Sequence, residues 1–119
     1  MVLPLGKVSE LSEWIQSQHP IYLQILGISG AREGITLEVY LRSENSSILL
    51  ISEGLYGLKS ASKFSGGLSI CTDISAELQQ LCQQCLSRHS ICSLVLQPRY
   101  KRNDQEPLQI MQVSLLAGR

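Results

Sequence analysis

The stretch ISAELQQLCQQCLSR, residues 74–88, decides how this chain is read. Ile74, Leu78, Leu81, Cys82, Cys85 and Leu86 recur at intervals of three and four, with Gln79, Gln80, Gln83, Gln84 and Ser87 between them. Side chains three and four apart share one face of an α-helix, so this spacing predicts an amphipathic helix over 74–88. Asp73 is its expected N-cap, with Thr72 as the alternative, because a short polar side chain there accepts a hydrogen bond from the first turn. Arg88 and His89 then fall at the C-terminal end, where the helix dipole favours positive charge. A helix with one apolar stripe must bury it against another layer, and the flanking sequence supplies strands.

Downstream, residues 91–97 alternate Cys92, Leu94 and Leu96 with Ser93, Val95 and Gln97, the period of a strand. Pro98 is expected to end this strand or to place it at an edge, because proline cannot donate to a ladder. Arg99–Glu106 reads as a polar turn and 107–116 as a last strand, the two strands forming a terminal hairpin. Upstream, residues 8–18 carry Val8, Leu11 and Ile15 at helical spacing, ended by His19-Pro20. Residues 21–28 are apolar on both alternating sets, Ile21, Leu23 and Ile25 against Tyr22, Gln24, Leu26 and Ile28. Such a strand is central or covered twice. Residues 35–42 alternate Ile35, Leu37, Val39 and Leu41 with Thr36, Glu38, Tyr40 and Arg42, and 47–52 form a further strand around Ile48–Ile51. Short connections predict an antiparallel meander of these three strands. Residues 53–67, with Gly54, Gly57, Gly66 and Gly67, read as the longest irregular segment and as a functional or mobile loop.

The expected fold is therefore a single α+β domain over residues 1–119. It has two layers, with two helices on a mostly antiparallel sheet of about five strands, in the order helix, three strands, long loop, helix, two strands. The 119 residues suffice to bury roughly two thirds of the unfolded surface without staples. Ten basic and ten acidic residues cancel, which excludes a strongly basic nucleic-acid binder and a strongly acidic solvating protein. No basic leader with an apolar run and no membrane-length apolar stretch is seen, so a cytoplasmic location with reduced cysteines is expected.

Two groups of residues carry candidate chemistry. Cys82 and Cys85 match C-x-x-C, a spacing that suits zinc or a redox couple. Both fall on the apolar stripe, which favours packing over ligation, and the expectation is no metal and no cofactor. Arg99, Tyr100, Lys101 and Arg102 form the densest basic cluster, with Arg88 at the helix end and Lys59 and Lys63 in the loop. Lys and Arg can hold phosphates while Tyr stacks on a base. The histidines lack a paired nucleophile, and no catalytic motif is seen. The leading expectation is a non-catalytic protein-interaction domain, an adaptor, assembly factor or regulatory subunit that forms a homodimer. Nucleic-acid binding through Arg99–Arg102 is the first alternative. A small enzyme or ligand binder with residues 54–67 as a lid is the second.

Overall fold

A computed structural model describes residues 1–17, 20–31, 33–44, 46–85, 87–100 and 108–117. They form strands β1 (Val2–Lys7), β2 (Ile21–Ile28), β3 (Ile35–Arg42), β4 (Ser47–Gly54), β5 (Leu68–Asp73), β6 (Ile91–Tyr100) and β7 (Gln112–Ala117). The helices are α1 (Val8–Ser17), α2 (Leu58–Phe64) and α3 (Ser75–Gln84). The chain is α+β and antiparallel throughout. Its strands divide into a four-stranded sheet ordered β1-β6-β3-β4 and a three-stranded sheet ordered β5-β2-β7.

The two sheets replace the predicted single sheet. β3 and β4 pair as a hairpin, but β2 leaves that meander and takes the centre of the smaller sheet between β5 and β7. The terminal hairpin is absent as well, because β6 runs between β1 and β3 while β7 pairs with β2. Register explains the split: both sheets turn one apolar face into a common core. Ile21, Leu23, Ile25 and Ile28 of β2 join Leu37, Val39 and Leu41 of β3, Leu94 and Leu96 of β6, and Leu11, Leu58, Leu78 and Leu81 of the helices in one buried cluster. Ile28 belongs to the inner set rather than the outer one. Gly27, at φ 65°, sits where the β2–β5 register shifts, and the bulge turns the next side chain inward.

α1 keeps its predicted extent from Val8 and buries Val8, Leu11 and Ile15; the predicted end at Gln18 and His19 lies outside the described residues. α3 is shorter than predicted. Its last N–H donor is Cys85, bonded to the Leu81 carbonyl at 3.0 Å, and Cys85 itself is extended. Arg88 and His89 are thus not at a helix end. The chain turns back so that the Arg88 and Ser90 carbonyls accept the Ser9 and Val8 N–H groups at 3.0 and 2.9 Å. Those donors open α1 and need external acceptors. At the other end Asp73 precedes Ile74, the N-cap, and its Oδ1 accepts the Ser75 N–H at 2.9 Å.

Residues 53–67 are not an irregular loop. They end β4 and then form α2, anchored by Leu58, which is fully buried, between Gly57 at φ 72° and the pair Gly66-Gly67 at φ 77° and 105°. β1 was not predicted, because Pro4 and Gly6 interrupt its pattern; a register shift lies between those residues. Pro98 lies inside β6. The Leu96 N–H donates to the Met1 carbonyl, so the Pro98 nitrogen points to the same side, beyond the last residue β1 contributes. Its missing donor therefore costs the sheet no bond.

Candidate functional site

A cleft of about 600 Å³ opens between α2 and the turn that follows β2, and Ser29, Gly30, Ala31, Lys59, Ser62 and Lys63 line it together with Gln109. Its frame is tied at each corner. Ser29 and Gln109 exchange backbone hydrogen bonds of 2.8 and 2.9 Å. The Gly30 N–H donates to Ser62 Oγ at 3.0 Å, and that hydroxyl donates to the Leu58 carbonyl at 2.6 Å. The Lys59 N–H donates to Glu33 Oε1 at 3.0 Å. At Gly30 an added Cβ would come within 3.0 Å of Leu58 and 3.1 Å of Leu108, so the turn sits close against both. Lys59 and Lys63, one turn apart on α2, both line the cleft. The sequence picks out those two lysines, but places them in a loop. Ser29, Gly30 and Gln109 are missed, since tertiary pairing, here the Ser29–Gln109 bridge, brings such distant segments together.

The remaining predicted partner-binding residues do not join this cleft. Arg99 Nε donates to Glu38 Oε1 at 2.6 Å across the β3–β6 ladder, and the Tyr40 hydroxyl donates to the other carboxylate oxygen. Those bonds, Tyr40 first and Arg99 second, hold the Glu38 carboxyl below its usual range. Tyr100 pairs opposite Ile35 and packs partly buried against the core. Arg88 lines a separate hollow between α1 and α3. Lys101 and Arg102 lie outside the described residues.

Cys82 and Cys85 face a third thiol, Cys92. Burial pushes the Cys92 thiol up to about 12, and the neighbouring Cys82 and Cys85 push in the same direction. The Cys82 thiol is raised too, chiefly by burial. A raised thiol pKa disfavours the thiolate, the form that ligates metals and attacks electrophiles. Cys85 Sγ instead contacts the Ser87 carbonyl at 3.3 Å. Among the described residues no cluster of three His, Cys, Asp or Glu side chains has a metal-holding arrangement.

A second surface is the outer face of the four-stranded sheet. The register aligns Val2 with Val95, Val95 with Tyr40, and Tyr40 with Leu49, one apolar row across all four strands. Val2 is 51% exposed and Leu49 48%. Glu38 and Arg42 flank Tyr40 two residues away on either side of β3, which puts all three on the same face. The period of β3 marks its outer set as water-facing. The row itself is invisible until the register is known. Three of the sheet edges are meanwhile blunted, since register shifts interrupt the pairing of β1, β4 and β5.

No described helix is long and apolar enough to cross a membrane. Comparisons with curated proteins and with solved structures returned no match. The match of a family model to residues 6–118 places the chain in the family described as a domain of unknown function (DUF7868).

Proposed function

We propose that this protein is a non-catalytic interaction domain that pairs with a second copy of itself through the outer face of the four-stranded sheet. The observation that carries the reading is the row Val2, Val95, Tyr40 and Leu49, exposed at its two ends and half-buried at Val95 and Tyr40. An uncovered apolar face on a soluble domain is the usual mark of an interaction site.

Size and charge select the second copy as occupant. Four strands about 4.8 Å apart and eight residues rising about 3.3 Å each give a face of roughly 500 Å². Two copies then bury about 1,000 Å², the lower bound for a specific interface. A two-fold axis along the apolar row stacks Tyr40 on Tyr40 and sets Glu38 of each copy over Arg42 of the other. The contact is self-complementary, as a closed symmetric dimer requires. Zero net charge leaves no long-range repulsion between identical copies. Nucleic-acid binding draws less support, because Arg99 directs its guanidinium to Glu38.

Sedimentation velocity over a concentration series tests the reading. The wild type is expected to shift from monomer to dimer, Leu49→Lys to remain monomeric, and Arg42→Glu to weaken the dimer in a salt-sensitive way. A wild type that sediments as a monomer at every concentration removes the proposal.

A further inference from the structure

We infer that the hollow between α1 and α3 binds a small polyhydroxy carboxylate through Arg88. The hollow measures about 410 Å³, within the range of small-molecule sites. Its floor is apolar, since Val8 and Ile15 are buried and Cys82 is half-buried. Two helix faces make its walls. Ser9, Ser12 and Gln16 recur at intervals of three and four on α1, and Gln79 and Gln83 are four apart on α3. Hydroxyls and amides both donate and accept hydrogen bonds, so these walls suit a ligand whose own groups do the same. Ser9 to Gln16 covers about 10 Å along the helix axis, the reach of a short carbon chain with its end groups.

Arg88 is the charged residue among those described in the lining, and no acid joins it there. Among the described residues none forms an ion pair with its guanidinium, in contrast to Arg99, which is engaged by Glu38. The main chain sets its place. The Arg88 carbonyl accepts the Ser9 N–H at 3.0 Å, which fixes the turn after α3 against the first turn of α1. A guanidinium presents parallel N–H donors that match the two oxygens of a carboxylate. One positive charge balances one carboxylate. A phosphate monoester carries nearly two negative charges, and the second would stand unmatched above an apolar floor.

Amide chemical shifts followed by NMR during titration with gluconate test the inference. Saturable shifts are expected at Ser9, Ser12, Gln83 and Arg88. Sorbitol replaces the carboxylate by a hydroxymethyl group, and hexanoate keeps the carboxylate without the hydroxyls; both are expected to bind more weakly. Arg88→Ala keeps the backbone bond to Ser9 and is expected to weaken gluconate by about tenfold or more. Arg88→Lys keeps the charge without the fork and is expected to fall between. Lys59→Ala, on α2, is expected to leave the affinity unchanged. Equal affinity for sorbitol overturns the carboxylate assignment, and equal affinity for hexanoate overturns the polyhydroxy body. Tighter binding of inorganic phosphate, or of a short peptide with a free C-terminus, overturns the ligand class. Absent saturation, or an unchanged affinity in an Arg88→Ala variant that melts like the wild type, overturns the site.

Discussion

Truncation of Leu81 to alanine separates a packing helix from a metal-bearing one. Leu81 is fully buried in α3, in one cluster with Leu11 and Ile15 of α1 and with Leu78. Loss of a buried leucine side chain costs the transfer energy of its methylenes and the cavity they leave, about 2–5 kcal/mol. A domain of 119 residues is expected to be stable by roughly 6–18 kcal/mol. Leu81→Ala should therefore fold, with a much lower urea midpoint and an unchanged slope. Cys82 is only partly buried and Cys85 lies beyond the helix, so Cys82→Ala with Cys85→Ala should cost about 1 kcal/mol, the ordinary effect of a substitution without a large cavity. Trp14, the single tryptophan, sits on α1 and packs on the core, so its fluorescence reports the α1–α3 contact in the same urea titration. The reasoning fails if the ranking inverts: a small loss for Leu81→Ala and a large one for the double cysteine variant, with zinc released from the wild type on unfolding.

Further outcomes follow from the same structure. The Cys92 thiol ionises near 9 when unfolded and at about 12 when folded, so its contribution to stability is complete below pH 9. Above that it falls by about 1.4 kcal/mol per pH unit until pH reaches 12. Denaturation between pH 8 and pH 11 should show a steeper loss for wild type than for Cys92→Ala, and parallel curves would contradict the assignment. Iodoacetamide under native conditions should modify the exposed Cys71 first and Cys92 last, as read by peptide mass mapping. Gly67→Ala places a Cβ 2.6 Å from the Ile28 carbonyl oxygen at φ 105°, a clash with backbone that cannot rotate away. A loss of more than about 2 kcal/mol in thermal unfolding is expected there, and Gly66→Ala, where the added Cβ meets open space, should lose less.

What the sequence discloses follows from where each element finds its partners. β3 is legible because one face is core and the other water, so Ile35, Leu37, Val39 and Leu41 alternate without exception. α1 and α3 are legible because their stripes are long enough to repeat. α2 is not: seven residues hold too few turns to show a period, and its stability comes from burying Leu58 and from the Ser62 bond to Gly30. β2 announces itself as a strand but not as a member of a second sheet. Its partners β5 and β7 lie some fifty and ninety positions along the chain, and nothing local names them. The C-x-x-C pair falls on the apolar stripe already in the sequence, and burial raises the thiol of Cys82 and that of the neighbouring Cys92.

Composition shows the same division between local and tertiary information. A net charge of zero excludes a uniformly basic surface, yet the fold distributes those charges unevenly. On the four-stranded sheet Arg99 is matched by Glu38 across one ladder step, which leaves a face governed by Val2, Val95, Tyr40 and Leu49. At the cleft Lys59 and Lys63 line one wall, while Glu33 is fixed by a backbone N–H at the edge of the frame. The face belongs to the four-stranded sheet and the cleft to α2 and the turn after β2, so a substitution such as Arg42→Glu can disturb self-association and leave the cleft intact. Equal damage to both from that one change would mean that the surfaces are one site, and that the division of roles argued from the register is mistaken.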